Sequence, residues 1–279
     1  LIEDKMNLDH DIREGGVQMI LLVEDGIRYY SSILPYLYSY VLMQSKSFST
    51  EALNRHAATL RMRGRPKVVL ARTYEEAMEI YDKYSASTLG VISDVRFPVG
   101  GEKDPDAGLK LLRHIRSVDE YVPLIIESSE SENRERALAE GFKFVDKDSK
   151  TASIDLRHIL EEHMGFGDFI FRDPKTHAEI MRVRSLKELQ DNIFKIPNDS
   201  MLYHISRNHM SRWLSARAIF PVSAFLKKVT WHKLKNVDAH RNIIFDAIVQ
   251  YRHMKNIGVV AVFDRMKFDS YSHFARIGE

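Results

Sequence analysis

The chain has 279 residues, enough for two domains with separate cores, and its 44% hydrophobic and 29% charged content is that of a soluble globular protein. It contains no cysteine, which excludes disulfides, thiolate metal sites and a cysteine nucleophile. The net charge of +2 divides unevenly: residues 1–150 carry 21 Lys and Arg against 25 Asp and Glu, and residues 151–279 carry 20 against 14.

Residues 1–16, LIEDKMNLDHDIREGG, are too acidic and polar for a signal peptide and read as a leader. No apolar stretch approaches the length of a membrane span, so a cytoplasmic protein without membrane contact is expected. VQMILLV (17–23) is an apolar run with the pattern of a buried parallel strand, and 27–43 follows at helical spacing. The stretch near 44–66 reads as an inserted helix. KVVLA, GVISD, VPLIIES and KFVDK then alternate with helical patterns, the first of which opens on a capping box at Thr73 and Glu76. Five βα units in series predict an α/β fold: a doubly wound, five-stranded parallel sheet with helices on both faces over residues 17–165.

A mostly helical second domain is expected over 166–279, with the boundary near Gly165-Phe166-Gly167. FIFRDPKTHAEIMRV reads as a hairpin or an irregular link, Ser185 and Glu188 as a capping box, and VVAVFD as a strand without a partner. His204 and His209 are five apart with no Glu between them, so they do not make the helical zinc pair. Trp213 falls at core spacing between Met210 and Leu214.

The chemistry lies at the strand ends. In a doubly wound sheet, ligand sites form at the carboxyl edge. The first strand delivers Glu24 and Asp25 there, the third Asp94, the fourth Ser128 and Ser129, the fifth Lys147. Clustered carboxylates repel unless a cation neutralises them, and hard oxygen ligands suit Mg2+. An aspartate backed by such an ion can attack a phosphoryl group, with Ser128 and Lys147 placed to hold its oxygens.

The pieces LLVED, VISDVRFP, LKLLRHIR, PLIIESS and DKDS, in that order, resemble the receiver domain of two-component response regulators, a flavodoxin-like fold. The resemblance implies that Asp94 is the phosphoacceptor. It further implies that Glu24, Asp25, Asp94 and the backbone carbonyl of Arg96 bind Mg2+, that Ser128 and Phe144 are the switch pair, and that Lys147 is the family's lysine. A sensor histidine kinase or a small phosphodonor is the implied partner. The face around 134–148 is then expected to pack on the second domain or on a second copy of the chain. Three departures stand out: the insertion near 44–66, the long loop at 99–107 with Glu102, Asp104 and Asp106, and Asp148 where many members carry a proline. The loop acids read as solvated turn residues.

The closing HFARIGE resembles the lead-in to the nucleotide-binding domain of phosphoenolpyruvate synthase and pyruvate phosphate dikinase-like proteins. That implies a regulatory fragment of a larger phosphotransfer enzyme, not itself catalytic. A DNA-binding response regulator is the alternative. Yet FPVSAFLKKVTWHKLKN has the charge without the helix-turn-helix pattern, so nucleic acid is not expected. A module for protein contacts independent of phosphorylation is the third reading.

Overall fold

The computed structural model describes residues 2–50, 55–234 and 236–254. VVAVFD and HFARIGE lie outside them.

Short apolar runs make the strands β1 (Met19–Val23), β2 (Lys67–Ala71) and β3 (Thr88–Asp94). A small antiparallel pair, β4 (Phe97–Val99) and β5 (Glu102–Asp104), precedes β6 (Leu124–Ser128) and β7 (Lys143–Asp146). The five long-range strands pair in parallel in the order β2-β1-β3-β6-β7. This is the flavodoxin-like order, in which the chain reverses direction between β1 and β3 and opens a crevice at their carboxyl ends.

The pleat sorts the core. Met19, Leu21 and Val23 of β1 face one cluster, Ile20 and Leu22 the other. The first cluster is covered by α5 (Tyr74–Tyr84), α6 (Ala107–Val118) and α7 (Glu132–Ala139), the second by α3 (Ile27–Ser49) and α8 (Ala152–His163). The expected insertion is the continuation of α3 through Ser49 followed by α4 (Arg55–Arg63). The loop at 99–107 is more ordered than its composition suggests. Gly100 and Gly101 have φ of 61° and 90°, which supplies the tight turn of the β4–β5 hairpin.

The leader forms α1 (Ile2–Met6) and α2 (Leu8–Gly15), fastened to the start of β2. Buried Asp4 accepts from Arg65 at 2.9 Å and from Lys67 at 3.3 Å, and Asp11 pairs with Lys67 at 2.8 Å.

Beyond Gly167 the stretch that could have been a hairpin or a link is a hairpin, β8 (Phe169–Arg172) with β9 (Glu179–Val183). It packs on α9 (Leu186–Asn192), α10 (Asn198–Ser206), α11 (His209–Ala216), α12 (Phe220–Lys228) and a further helix over 237–254. Ser185 caps α9 by accepting from Glu188 N. These elements share a separate core, in which Trp213 is wholly buried beside Phe169, Phe171 and Leu214.

The two halves meet at the amino edge of the sheet. Arg217 donates to the carbonyls of Gly165 and Gly167 at 2.6 and 2.7 Å, and Trp213 Nε1 to Gly167 O at 3.0 Å. Arg212 donates to Tyr121 O, just before β6, and Lys227 to Ala86 O, just before β3. The face around 134–148, expected to carry this contact, contributes none of these hydrogen bonds.

Candidate functional site

The site sits in the crevice between β1 and β3. Glu24 and Asp25 follow β1 directly, and one carboxylate oxygen from each lies within 4.8 Å of one from Asp94. Asp94 ends β3 in register with Glu127 of β6. Its carboxylate accepts from Lys147 Nζ at 2.6 Å, and the N–H of Arg96 approaches the other oxygen at 3.3 Å. Lys147, one residue past β7, also pairs with Glu24 and lies over the Tyr29 ring at 4.4 Å. Gly26 N–H holds the second Glu24 oxygen at 2.8 Å. The sheet thus converges four of the sequence-expected residues on one point.

Close backbone approach fixes Asp94. Gly108, in the first turn of α6, donates to Val95 O, and a Cβ there would stand 1.9 Å from Asp94 O. Only glycine lets α6 sit so near the end of β3.

Ser128 is buried at the end of β6, its Oγ accepting from Glu130 N at 3.1 Å and from Asn133 Nδ2 at 3.0 Å. Asn133 also donates to Glu130, and Glu130 pairs with the Arg96 guanidinium. Phe144 is half-buried against the first core cluster, with the Arg134 guanidinium 5.7 Å above its ring. The Arg96 contacts are made by its N–H and side chain.

The loop acids stay out of the cluster: Asp104 pairs with Lys110 and Asp106 with Arg136, each at 2.5 Å. The hairpin contributes a cation instead, Lys103, 3.1 Å from Asp25. Asp148 N–H donates to Asp146 Oδ1 and turns the chain after β7.

Four carboxylates gather at this edge, two of them, Glu24 and Asp94, paired with the buried Lys147. The fourth, Glu127, was hidden inside the apolar run VPLIIES. Burial, with the Glu24 and Asp94 charges against it, pushes its carboxyl up to about 8 although Lys147 pulls the other way. Burial also raises Glu24, and the Lys147 attraction does not fully offset it. Burial lowers Lys147, but Asp94 and Glu24 more than compensate, so its pKa stands above the usual lysine value and it stays charged. Three carboxylates that share only Lys147 and Lys103 as counter-charges, with oxygens at this spacing, fit a divalent cation held by Glu24, Asp25 and Asp94. The side chain of Asp94 is 16% exposed, open enough for a small reactant to reach.

No family model matches the sequence, and no curated protein matches it. Among solved structures, the chain is similar to the response regulator receiver domain protein from Clostridium thermocellum. Identity is 19%, over 52% of this chain and 94% of that one, with a TM-score of 0.34. No match supports the phosphoenolpyruvate synthase link. Among the described residues, no helix is long and apolar enough to cross a membrane. With the strand order β2-β1-β3-β6-β7, the first half of the chain is a flavodoxin-like doubly wound domain with an acidic crevice at its switch point.

Proposed function

We propose that the first half of the chain is a response-regulator module phosphorylated on Asp94. The observation that carries this reading is the cluster of Glu24, Asp25 and Asp94 within 4.8 Å, with Lys147 on Asp94. An Asp94 carboxylate oxygen attacks the phosphorus of a donor, a phosphohistidine of a sensor kinase or a small acyl phosphate. The new P–O bond forms as the bond from phosphorus to the donor breaks. The leaving group departs with its electron pair, and the product is an aspartyl phosphate. Glu24, Asp25, Asp94 and the Arg96 carbonyl would hold Mg2+, which would supply charge neutralisation for the transferring group. Lys147 already touches Asp94 and holds a phosphoryl oxygen once it arrives.

Ser128 is the neighbouring hydroxyl, tied back to Asn133 and to Glu130 N–H. A phosphoryl group adds close to two negative charges and strong acceptors. Ser128 then exchanges Asn133 for the phosphate, α7 loosens, and Phe144 turns inward. The face around 134–148 is the surface read by a kinase or a second copy of the chain.

Incubation with Mg2+ and acetyl phosphate should add one phosphoryl group, labile to hydroxylamine and read by intact-protein mass. Asp94→Asn should abolish it, because an amide is no nucleophile. Label persisting in that variant, or found on a histidine, refutes the assignment.

A further inference from the structure

A cavity of about 540 Å3 lies at the opposite edge of the sheet, between the two halves of the chain. Its size is that of a small-molecule site. Arg116, Tyr121 and Lys143 line it from the first half, and Arg207, His209 and Arg212 from the second.

The charges of this cavity do not balance. Three of the four carboxylates on its wall are paired with arginines, Glu162 with Arg172 at 2.7 Å, Asp168 with Arg182 and Arg184, and Glu161 with Arg157, which leaves Glu120 as the fourth. Arg116, Lys143, Arg207 and Arg212 have no carboxylate within ion-pair distance among the described residues. Arg212 makes a single hydrogen bond, to Tyr121 O at 2.8 Å, and burial pulls its pKa down to about 10. Arg116 Nε is buried without any partner. Arg116, Arg207 and Arg212 are half-buried and Lys143 is exposed at the cavity mouth, and half-buried cations without a counter-charge attract an anion.

The histidines add a donor. Arg172 N–H donates to His204 Nε2 at 3.0 Å, so the His204 proton sits on Nδ1 and is donated to His209 Nδ1, 3.0 Å away. That leaves His209 with its proton on Nε2, a neutral donor on the cavity wall. The Arg207 guanidinium stacks 4.2 Å from the Tyr203 ring and 5.7 Å from that of Tyr121, so aromatic surface lines the same space.

We infer that this cavity binds a phosphorylated small molecule of nucleotide size: guanidiniums and Lys143 hold the phosphates, as their planar forks favour, and the tyrosines flank the organic part. Both halves supply ligands, so occupancy ties them together. The site is independent of the chemistry at Asp94.

Calorimetric titration of the whole chain with adenosine diphosphate, ribose 5-phosphate and inorganic pyrophosphate tests this. Saturable binding of adenosine diphosphate is expected, weakened at least about tenfold by Arg212→Gln, which removes a charge-assisted contact. Lys143→Gln, at an exposed position that does not threaten folding, should weaken it about threefold, and Asp94→Asn should leave it unchanged. No heat with any of the three, or binding that both Arg212→Gln and Lys143→Gln leave intact, overturns the site. Binding of pyrophosphate alone overturns its assigned size.

Discussion

The two edges of the central sheet carry opposite surpluses of charge. At the carboxyl edge, Glu24, Asp25, Asp94 and Glu127 gather, with the buried Lys147 pairing Glu24 and Asp94 and Lys103 reaching Asp25 from the hairpin. At the amino edge, four cations face a cavity in which three of the four carboxylates are paired with other arginines. Parallel strands bring this about, because all their amino ends fall on one side and all their carboxyl ends on the other. Neither surplus helps the fold. Each is a standing electrostatic cost that a ligand of opposite sign relieves, and the formal net charge of +2 conceals both.

The acidic edge breaks first under substitution. Glu24→Ala combined with Asp25→Ala should lower Mg2+ affinity by more than about a hundredfold, since it deletes two of three carboxylate ligands. The folded state should survive or gain, because repulsion is removed. Calorimetric titration with Mg2+ reads the first effect and thermal unfolding the second. Unchanged Mg2+ affinity in the double variant would show that the acids are not the ligands.

Gly108→Ala should come next. Its Cβ has no room beside Asp94 O, so α6 or the end of β3 must move. A loss of about 2–3 kcal/mol is expected in urea unfolding, with slower phosphorylation. Full stability in this variant would mean that α6 packs less closely than the structure has it.

What the sequence made legible follows from where polar residues fall. Strand runs ending in Glu24, Asp94, Ser128 and Lys147 gave both the sheet and its polar carboxyl edge, because a charged or hydroxyl residue at the end of an apolar run has few other reasons to be there. Glu127 stayed hidden because it sits one residue inside such a run, where an alternating pattern absorbs it. Asn133 and Gly108 act through geometry across elements, which spacing alone does not record. The amino edge was invisible for a different reason. Spacing gave Arg207 and Arg212 no place in the fold, and only the packing of the second half at the amino edge of the sheet brings both to the cavity wall.

The edges also predict opposite responses to pH. Glu127 has a folded-state carboxyl raised to about 8 against an ordinary 4.5. Between those values the unfolded chain releases its proton while the folded one keeps it. Stability is therefore lost as pH rises through that window. In EDTA, Glu127→Gln, neutral at every pH, should be more stable than the parent by about 4 kcal/mol at pH 8 and nearly equal to it at pH 4.5. A parallel pH dependence in parent and variant would assign the loss to other groups.

The amino edge should weaken in the other direction, by less. Burial pushes His204 down to about 4 and His209 to about 3, with Arg172 and Arg207 opposing a charge on the first, His204, Arg212 and Arg207 on the second. Above the unfolded value near 6.5 both states are neutral and nothing is lost. As pH falls below 6.5 the unfolded chain takes up protons that the buried pair refuses, so stability drops progressively toward pH 4. The Nδ1 to Nδ1 hydrogen bond sharpens this, because it needs one proton between the two rings and a second breaks it. His209→Gln keeps a polar side chain on the cavity wall without a titrating group. It should be roughly 1 kcal/mol less stable than the parent at pH 7.5, where the hydrogen bond counts, and close to it at pH 4.5. Equal slopes for parent and variant between those pH values would show that the acid loss belongs elsewhere, and that the two edges differ in charge but not in their response to protons.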